Sequence, residues 1–184
     1  MTTLRRTLFL LAAGFLMLPP TASSQDYSAE ATHSVVVGRV SGSLPQSVSL
    51  TSGGSVQVGI GGCSYGYVTN APDVGLLYNS RSSSSPTLYI YAEGEGDTTL
   101  LIWSRGLDGH WVCDDDSYGD GDPMIVLPNA GGVYVIWVGS FNNESHDATL
   151  YISETDPRTN TPSGNTPPDN TSSGQVPDYS LEPA

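Results

Sequence analysis

The chain contains no lysine. Its six basic residues are all arginine, and they face nineteen carboxylates over 184 residues. A surface so short of cations repels the phosphate backbone of nucleic acid and the headgroups of anionic membranes, so neither is an expected partner. The charge suits cations, metal ions or plain solubility. Histidine is scarce as well. His33, His110 and His146 show no ligand spacing with one another or with a cysteine, which argues against a transition-metal centre. Helical signals are also missing: no stretch keeps the 3.6-residue period for long enough. Long apolar runs are confined to the first twenty residues.

That first run is Leu8–Leu18, LFLLAAGFLML, too short to span a bilayer well. Arg5 and Arg6 precede it, Pro19 and Pro20 break it, and Ala22-Ser23-Ser24 follows with the small residues of a cleavage site. Residues 1–24 therefore read as a secretory signal peptide, with a mature start at Gln25 and an exported product, periplasmic or secreted. No membrane insertion is expected after cleavage. Four arginines then face the nineteen acids, leaving a net charge of −15. Two cysteines, Cys63 and Cys113, remain. In an oxidising compartment they most simply form one disulfide. A loop of this length is worth roughly 4 kcal/mol on the chain-entropy account. The other reading is a cysteine nucleophile, but neither residue has a catalytic setting.

Three regions follow the leader. Residues 25–32 are polar and expected to be loose. Residues 33–154 alternate apolar runs with turn residues. Residues 155–184 hold six prolines and almost nothing apolar, so this tail is expected to be disordered. The central region reads as β throughout: VVVGRV from Val35, SVSL, SVQVGI, VGLLYN, TLYIYAE, DTTLLIWS, GVYVIWVGS and DATLYISE, each bounded by turn formers. In the last, Ala148, Leu150 and Ile152 share one face and Thr149 and Tyr151 the other. VYVIWV is apolar on both faces, which suits a central strand covered on both sides. Eight to ten short strands imply an all-β domain, an antiparallel β-sandwich or barrel.

Several pieces taken together resemble the bacterial pre-peptidase C-terminal domain. They are Asp97-Thr98-Thr99-Leu100, Gly109-His110-Trp111, Cys113 to Asp116, Asp122-Pro123, Gly131 to Gly139, and Ala148 to Ser153. The block from Gly62-Cys63 to Ala71-Pro72-Asp73 looks like a subgroup of small exported proteins built around that domain. The resemblance implies a jelly-roll-like antiparallel β-sandwich. It also implies binding, targeting or secretion support rather than catalysis, because some relatives bind collagen or other polymers and some bind calcium.

Two candidate sites follow. The run WVCDDDSYGDGDP places Asp114, Asp115, Asp116, Asp120 and Asp122 within nine residues. Calcium takes six to eight oxygens, mostly carboxylate and carbonyl, and Asp97 is the outside residue that the family pattern adds. An EF-hand is excluded, since its fifth and twelfth positions fall on Tyr118 and Ile125. Aspartates also close turns on backbone amides without a metal, and both readings stay open. The second site is aromatic. If Cys63 bonds Cys113, Tyr65 and Tyr67 lie near Trp111 and Tyr118, giving one rim rich in aromatics and acids for a protein or polysaccharide partner.

Catalysis finds little support. There is no G-x-S-x-G and no H-E-x-x-H, and the histidines have no diagnostic neighbours. The sequence thus reads as an exported non-catalytic binding or accessory module, with calcium as its one candidate cofactor. Two alternatives remain: a small secreted hydrolase or peptidase-associated protein, and a structural envelope protein without a specific ligand.

Overall fold

The computed structural model describes residues 25–37, 44–79, 86–104 and 109–160. The leader, the end of VVVGRV and the tail from residue 161 lie outside the described residues. The described chain forms eleven strands: β1 (His33–Val37), β2 (Gln46–Thr51), β3 (Val56–Gln57), β4 (Tyr67–Val68), β5 (Val74–Tyr78), β6 (Leu88–Gly94), β7 (Thr98–Ser104), β8 (His110–Asp114), β9 (Met124–Leu127), β10 (Gly132–Ser140) and β11 (Asp147–Ser153). Among the described residues no helix is long and apolar enough to cross a membrane.

The strands make two sheets. The larger runs β1-β5-β10-β4-β3, with β7 on the other side of β10 and β8 beyond it; the smaller runs β2-β11-β6-β9. Alternation decides what each presents to the other. Leu88, Ile90 and Ala92 of β6 and Ala148, Leu150 and Ile152 of β11 point inward from the small sheet. They meet Val74, Leu76, Leu100, Ile102, Ile136 and Val138 of the large one. Each fully buried aliphatic side chain contributes roughly 1.5–3 kcal/mol, so this interlayer is the main source of stability. It fixes the β-sandwich that the alternation predicts.

One pairing departs from the antiparallel expectation. β1 runs parallel to β5, with His33 opposite Val74 and Val37 opposite Tyr78. Parallel neighbours need a long return path, and the chain supplies one by visiting the small sheet as β2 and coming back through β3 and β4.

The long central strand β10 is covered on both faces, as VYVIWV predicts. Its outward side chains Val135 and Trp137 join Leu101, Val58, Val68 and Cys63 in a second, smaller core. This core lies on the outer face of the large sheet, under the segment that carries β3 and β4. Residues 25–32, expected to be loose, are instead fastened here. Asp26 N donates to Asn70 O at 2.9 Å and Thr32 N to Pro72 O at 3.1 Å. Tyr27 stacks on Trp103 with ring centroids 4.4 Å apart. One aromatic ring, placed against a sheet that needs covering, outweighs the polar character of its neighbours.

Candidate functional site

The cysteines are bonded to each other, with Cα atoms 5.9 Å apart. Cys63 closes a tight turn in which Ile60 and Cys63 exchange backbone hydrogen bonds of 3.1 and 2.8 Å. Gly61 and Gly62 hold its two central positions at φ 57° and 86°, which a residue with a Cβ adopts only under strain. A Cβ on Gly61 would also lie 2.5 Å from that of Trp111. Trp111 therefore sits under this turn. It lies 5.4 Å from Trp137 and has Tyr27 against its edge at 6.2 Å. It is a half-buried part of the second core.

The acidic run is the crossover between the sheets. β8 belongs to the large sheet through β7, and β9 to the small one through β6. Asp114 ends β8, and its Oδ2 accepts from Ser117 N at 3.0 Å, Ser117 Oγ at 2.7 Å and Met124 N at 2.8 Å. It thereby folds the loop and delivers β9. Asp122 Oδ1 accepts from Gly94 N at 3.2 Å and Thr98 Oγ1 at 3.0 Å, tying the loop to the β6–β7 turn. Asp120 occupies a left-handed position in the tight turn, at φ 57°.

That leaves Asp97, Asp115 and Asp116. Burial, and next the Asp116 charge, raise the Asp97 carboxyl above its ordinary range; burial and the three neighbouring aspartates raise Asp115. Asp97 Oδ1 is buried without a hydrogen-bond partner. Even so, among the described residues no three of His, Cys, Asp and Glu are gathered closely enough to hold a metal ion. Of the six aspartates, Asp114 and Asp122 are engaged in the loop's own hydrogen bonds.

The expected single rim is split as well. Tyr67 lies in β4 of the large sheet, and Tyr65 just before it in the segment that follows Cys63. Tyr118 is carried by the acidic crossover to the outer face of the small sheet. There it meets Tyr91 of β6 with centroids 4.8 Å apart, and Tyr91 in turn stacks on Tyr151 of β11 at 4.9 Å and 12°. Tyr91 and Tyr151 are direct cross-strand partners. The three rings form a row across the strands. Glu93 stands beside it, two residues beyond Tyr91 on the same face. Burial and then the Glu93 charge push the Tyr118 hydroxyl up to about 12, and the same two causes raise Tyr151. Both phenols therefore stay protonated beside the carboxylate.

Next to the row lies an open groove of about 620 Å³, lined among others by Ser49, Thr51, Glu93, Glu95, Asp147 and Tyr151. Tyr91, Tyr151 and Glu93 were not among the residues singled out from sequence. The alternation of TLYIYAE and DATLYISE was the available signal: it turns Leu88, Ile90 and Ala92 inward and hence Tyr91 and Glu93 outward.

Among the described residues, the cysteines and two of the histidines are engaged elsewhere. The cysteines are oxidised, His33 Nδ1 lies 3.3 Å from the Asp73 carbonyl, and His146 Nε2 lies 3.4 Å from Glu144. Fold and site together define a disulfide-closed β-sandwich with a tyrosine-lined acidic face. No protein-family profile matches the chain, and no curated protein does. Among solved structures it is similar to the pre-peptidase C-terminal domain of a collagenase from Bacillus anthracis. Identity there is 10%, over 68% of this chain and 99% of that one, at a TM-score of 0.42. It is also similar to PliG of Aeromonas hydrophila, a periplasmic lysozyme inhibitor of g-type lysozyme, at 16% identity over 66% and 97% and a TM-score of 0.34.

Proposed function

We propose that this protein is an exported, non-catalytic binding module, and that the outer face of the small sheet is where it takes a protein or polysaccharide partner. The observation that carries the reading is the row Tyr118–Tyr91–Tyr151 with Glu93 beside it. Three half-buried aromatic rings and a carboxylate border an open groove, on a sheet whose other outward residues are mainly small and polar. Nothing in packing the sandwich requires them, since the inward face is complete without them. Tyrosine is suited to this work because its ring and hydroxyl give contact area and hydrogen bonding at little entropic cost. The disulfide supports an oxidising compartment.

The test is a glycan array and a displayed peptide library, each probed with the chain and with a Tyr91→Ser/Tyr151→Ser double variant. Ligands are expected that bind the first and not the second, with circular dichroism unchanged. Ligands that bind both equally place the site elsewhere. Consumption of a ligand during incubation overturns the non-catalytic assignment.

Calcium is the second reading, favoured by the partnerless Oδ1 of Asp97 beside the charges of Asp115 and Asp116. An ion there has to draw those carboxylates together. Melting midpoints in EDTA, in calcium and in magnesium at equal ionic strength decide it. A rise specific to calcium, lost in Asp97→Asn, supports a site. Equal midpoints in the two metals dismiss it.

A further inference from the structure

We infer that the tyrosine face takes a cationic polypeptide, a protein surface or segment that presents arginine or lysine side chains, rather than a neutral glycan. This rests on the face being the ligand site. Ring geometry and charge both point the same way.

Sugar recognition by stacking needs an aromatic ring with a free face. Two rings with centroids 4.9 Å apart and planes 12° from parallel are offset-stacked, so each covers a face of the other. Tyr91 has Tyr151 on one side and Tyr118 on the other, at 4.8 Å. The middle of the row therefore offers ring edges to solvent, not an open platform, and the Tyr118 and Tyr151 hydroxyls are hydrogen-bonded to Glu93. A pyranose ring has no flat surface to lie on at the centre of the site.

The electrostatics favour a cation. Glu93, Glu95 and Asp147 line the groove, and Asp120 and Asp122 stand near its Glu93 end, where the Glu93 and Asp120 charges help raise the Asp122 carboxyl. Among the described residues Arg158 is the sole arginine. Its guanidinium is held by Asp156 at 2.7 Å, toward the Tyr89 end of the sheet. Among the described residues, then, the groove's carboxylates have no arginine or lysine beside them. The Tyr118 and Tyr151 phenols, raised by burial and then by the Glu93 charge, keep their protons near neutrality and add no negative charge of their own. A guanidinium laid over the groove meets Glu93 as a charged acceptor, an interaction a neutral sugar ring cannot match. An anionic glycan is repelled by the same groups.

The experiment titrates three defined probes into the isotopically labelled chain: an alternating arginine–glycine octapeptide, its serine–glycine counterpart, and cellohexaose. Chemical-shift changes for the arginine peptide are expected to concentrate on Tyr91, Glu93, Asp147 and Tyr151. Affinity is expected to fall about tenfold in Glu93→Gln and less than about twofold in Glu30→Gln, which removes an equal charge from the segment on the opposite sheet. Backbone amide shifts unchanged away from the small sheet's outer face serve as the check that Glu93→Gln is folded. If both variants weaken the peptide equally, the attraction is that of net charge alone and the inference fails. If cellohexaose binds the face and Glu93→Gln leaves it untouched, the cationic partner is wrong while the binding face stands. If no probe shifts this face, both the inference and the proposed site fall.

Discussion

At the scale of single residues the least ordinary group is Asp73. Its side chain is 8% exposed, at the joint where β1, β5 and β10 meet. Oδ2 accepts from Val138 N at 2.8 Å and Oδ1 from Thr69 Oγ1 at 3.4 Å. Burial nevertheless dominates those hydrogen bonds and the nearby His33, and it raises the carboxyl from 3.8 to about 6. The folded state thus binds this proton more tightly than the unfolded chain does. The resulting stabilisation is fully present below about pH 4, and is lost as pH rises through about 6. The difference corresponds to about 3 kcal/mol as an order of magnitude. Asp73→Asn keeps an acceptor for Val138 N and removes the charge. Urea denaturation should show it more stable than the parent by roughly 1–3 kcal/mol at pH 8 and close to parity at pH 4. Parity at both values would mean that water reaches the carboxylate. No local pattern marks Asp73 for this role, because its partner Val138 lies 65 positions away. Asp114 is the opposite case. An aspartate followed by serine in a turn-rich stretch is a local signature, and its capture of Ser117 is the turn chemistry that such residues offer.

Elements were legible where each strand carries its own evidence. DATLYISE and TLYIYAE show an inward and an outward face by alternation alone, and the double-sided character of VYVIWV announces that something covers β10. What covers it was legible only through the cysteines, since their pairing requires the Cys63 turn to lie on β8. The division of Trp111 from Tyr118 was not legible. They are seven positions apart in sequence, and nothing local says that the loop between them changes sheets. The same blindness hid the tyrosine row, which exists because β11 pairs with β6 and not with some other strand. The cover yields a prediction of its own. Breaking the bond with Cys63→Ala/Cys113→Ala releases a 50-residue constraint, expected to cost about 4 kcal/mol by chain entropy. It should also shift tryptophan emission to the red, as Trp111 and Trp137 gain water from the opened second core. Chemical denaturation followed by fluorescence reads both. A loss well under about 1 kcal/mol with unchanged emission would show that the Gly61 turn is held by packing on Trp111 alone.

For the molecule as a whole, the charge that suits a cationic partner also works against the fold. Nineteen acids against six arginines repel one another in the compact state, and the repulsion is screened by salt. Two sets of carboxylates then compete as pH falls. Asp73, Asp97, Asp115 and Asp122 are raised, burial being the first cause in each, so their protonation favours the folded chain. Asp26 and Asp156 are lowered, by Ser28 and by Arg158, so their protonation favours the unfolded chain. The lowered pair lies at the surface, where solvent and salt weaken such contacts. The raised set includes the buried Asp73, whose change is the largest. The raised set therefore wins down to about pH 4, and below that the lowered pair begins to lose its hydrogen bonds. The melting midpoint is expected to climb by several degrees between about pH 8 and about pH 5. It should also rise by a few degrees between about 10 mM and about 300 mM sodium chloride at pH 8, with a smaller salt effect at the acid end, where fewer charges remain to screen. Differential scanning calorimetry over this grid measures it. A midpoint that falls with acid throughout would show that the hydrogen-bonded surface carboxylates outweigh the buried ones, and that the acidity of this surface is neutral to the fold.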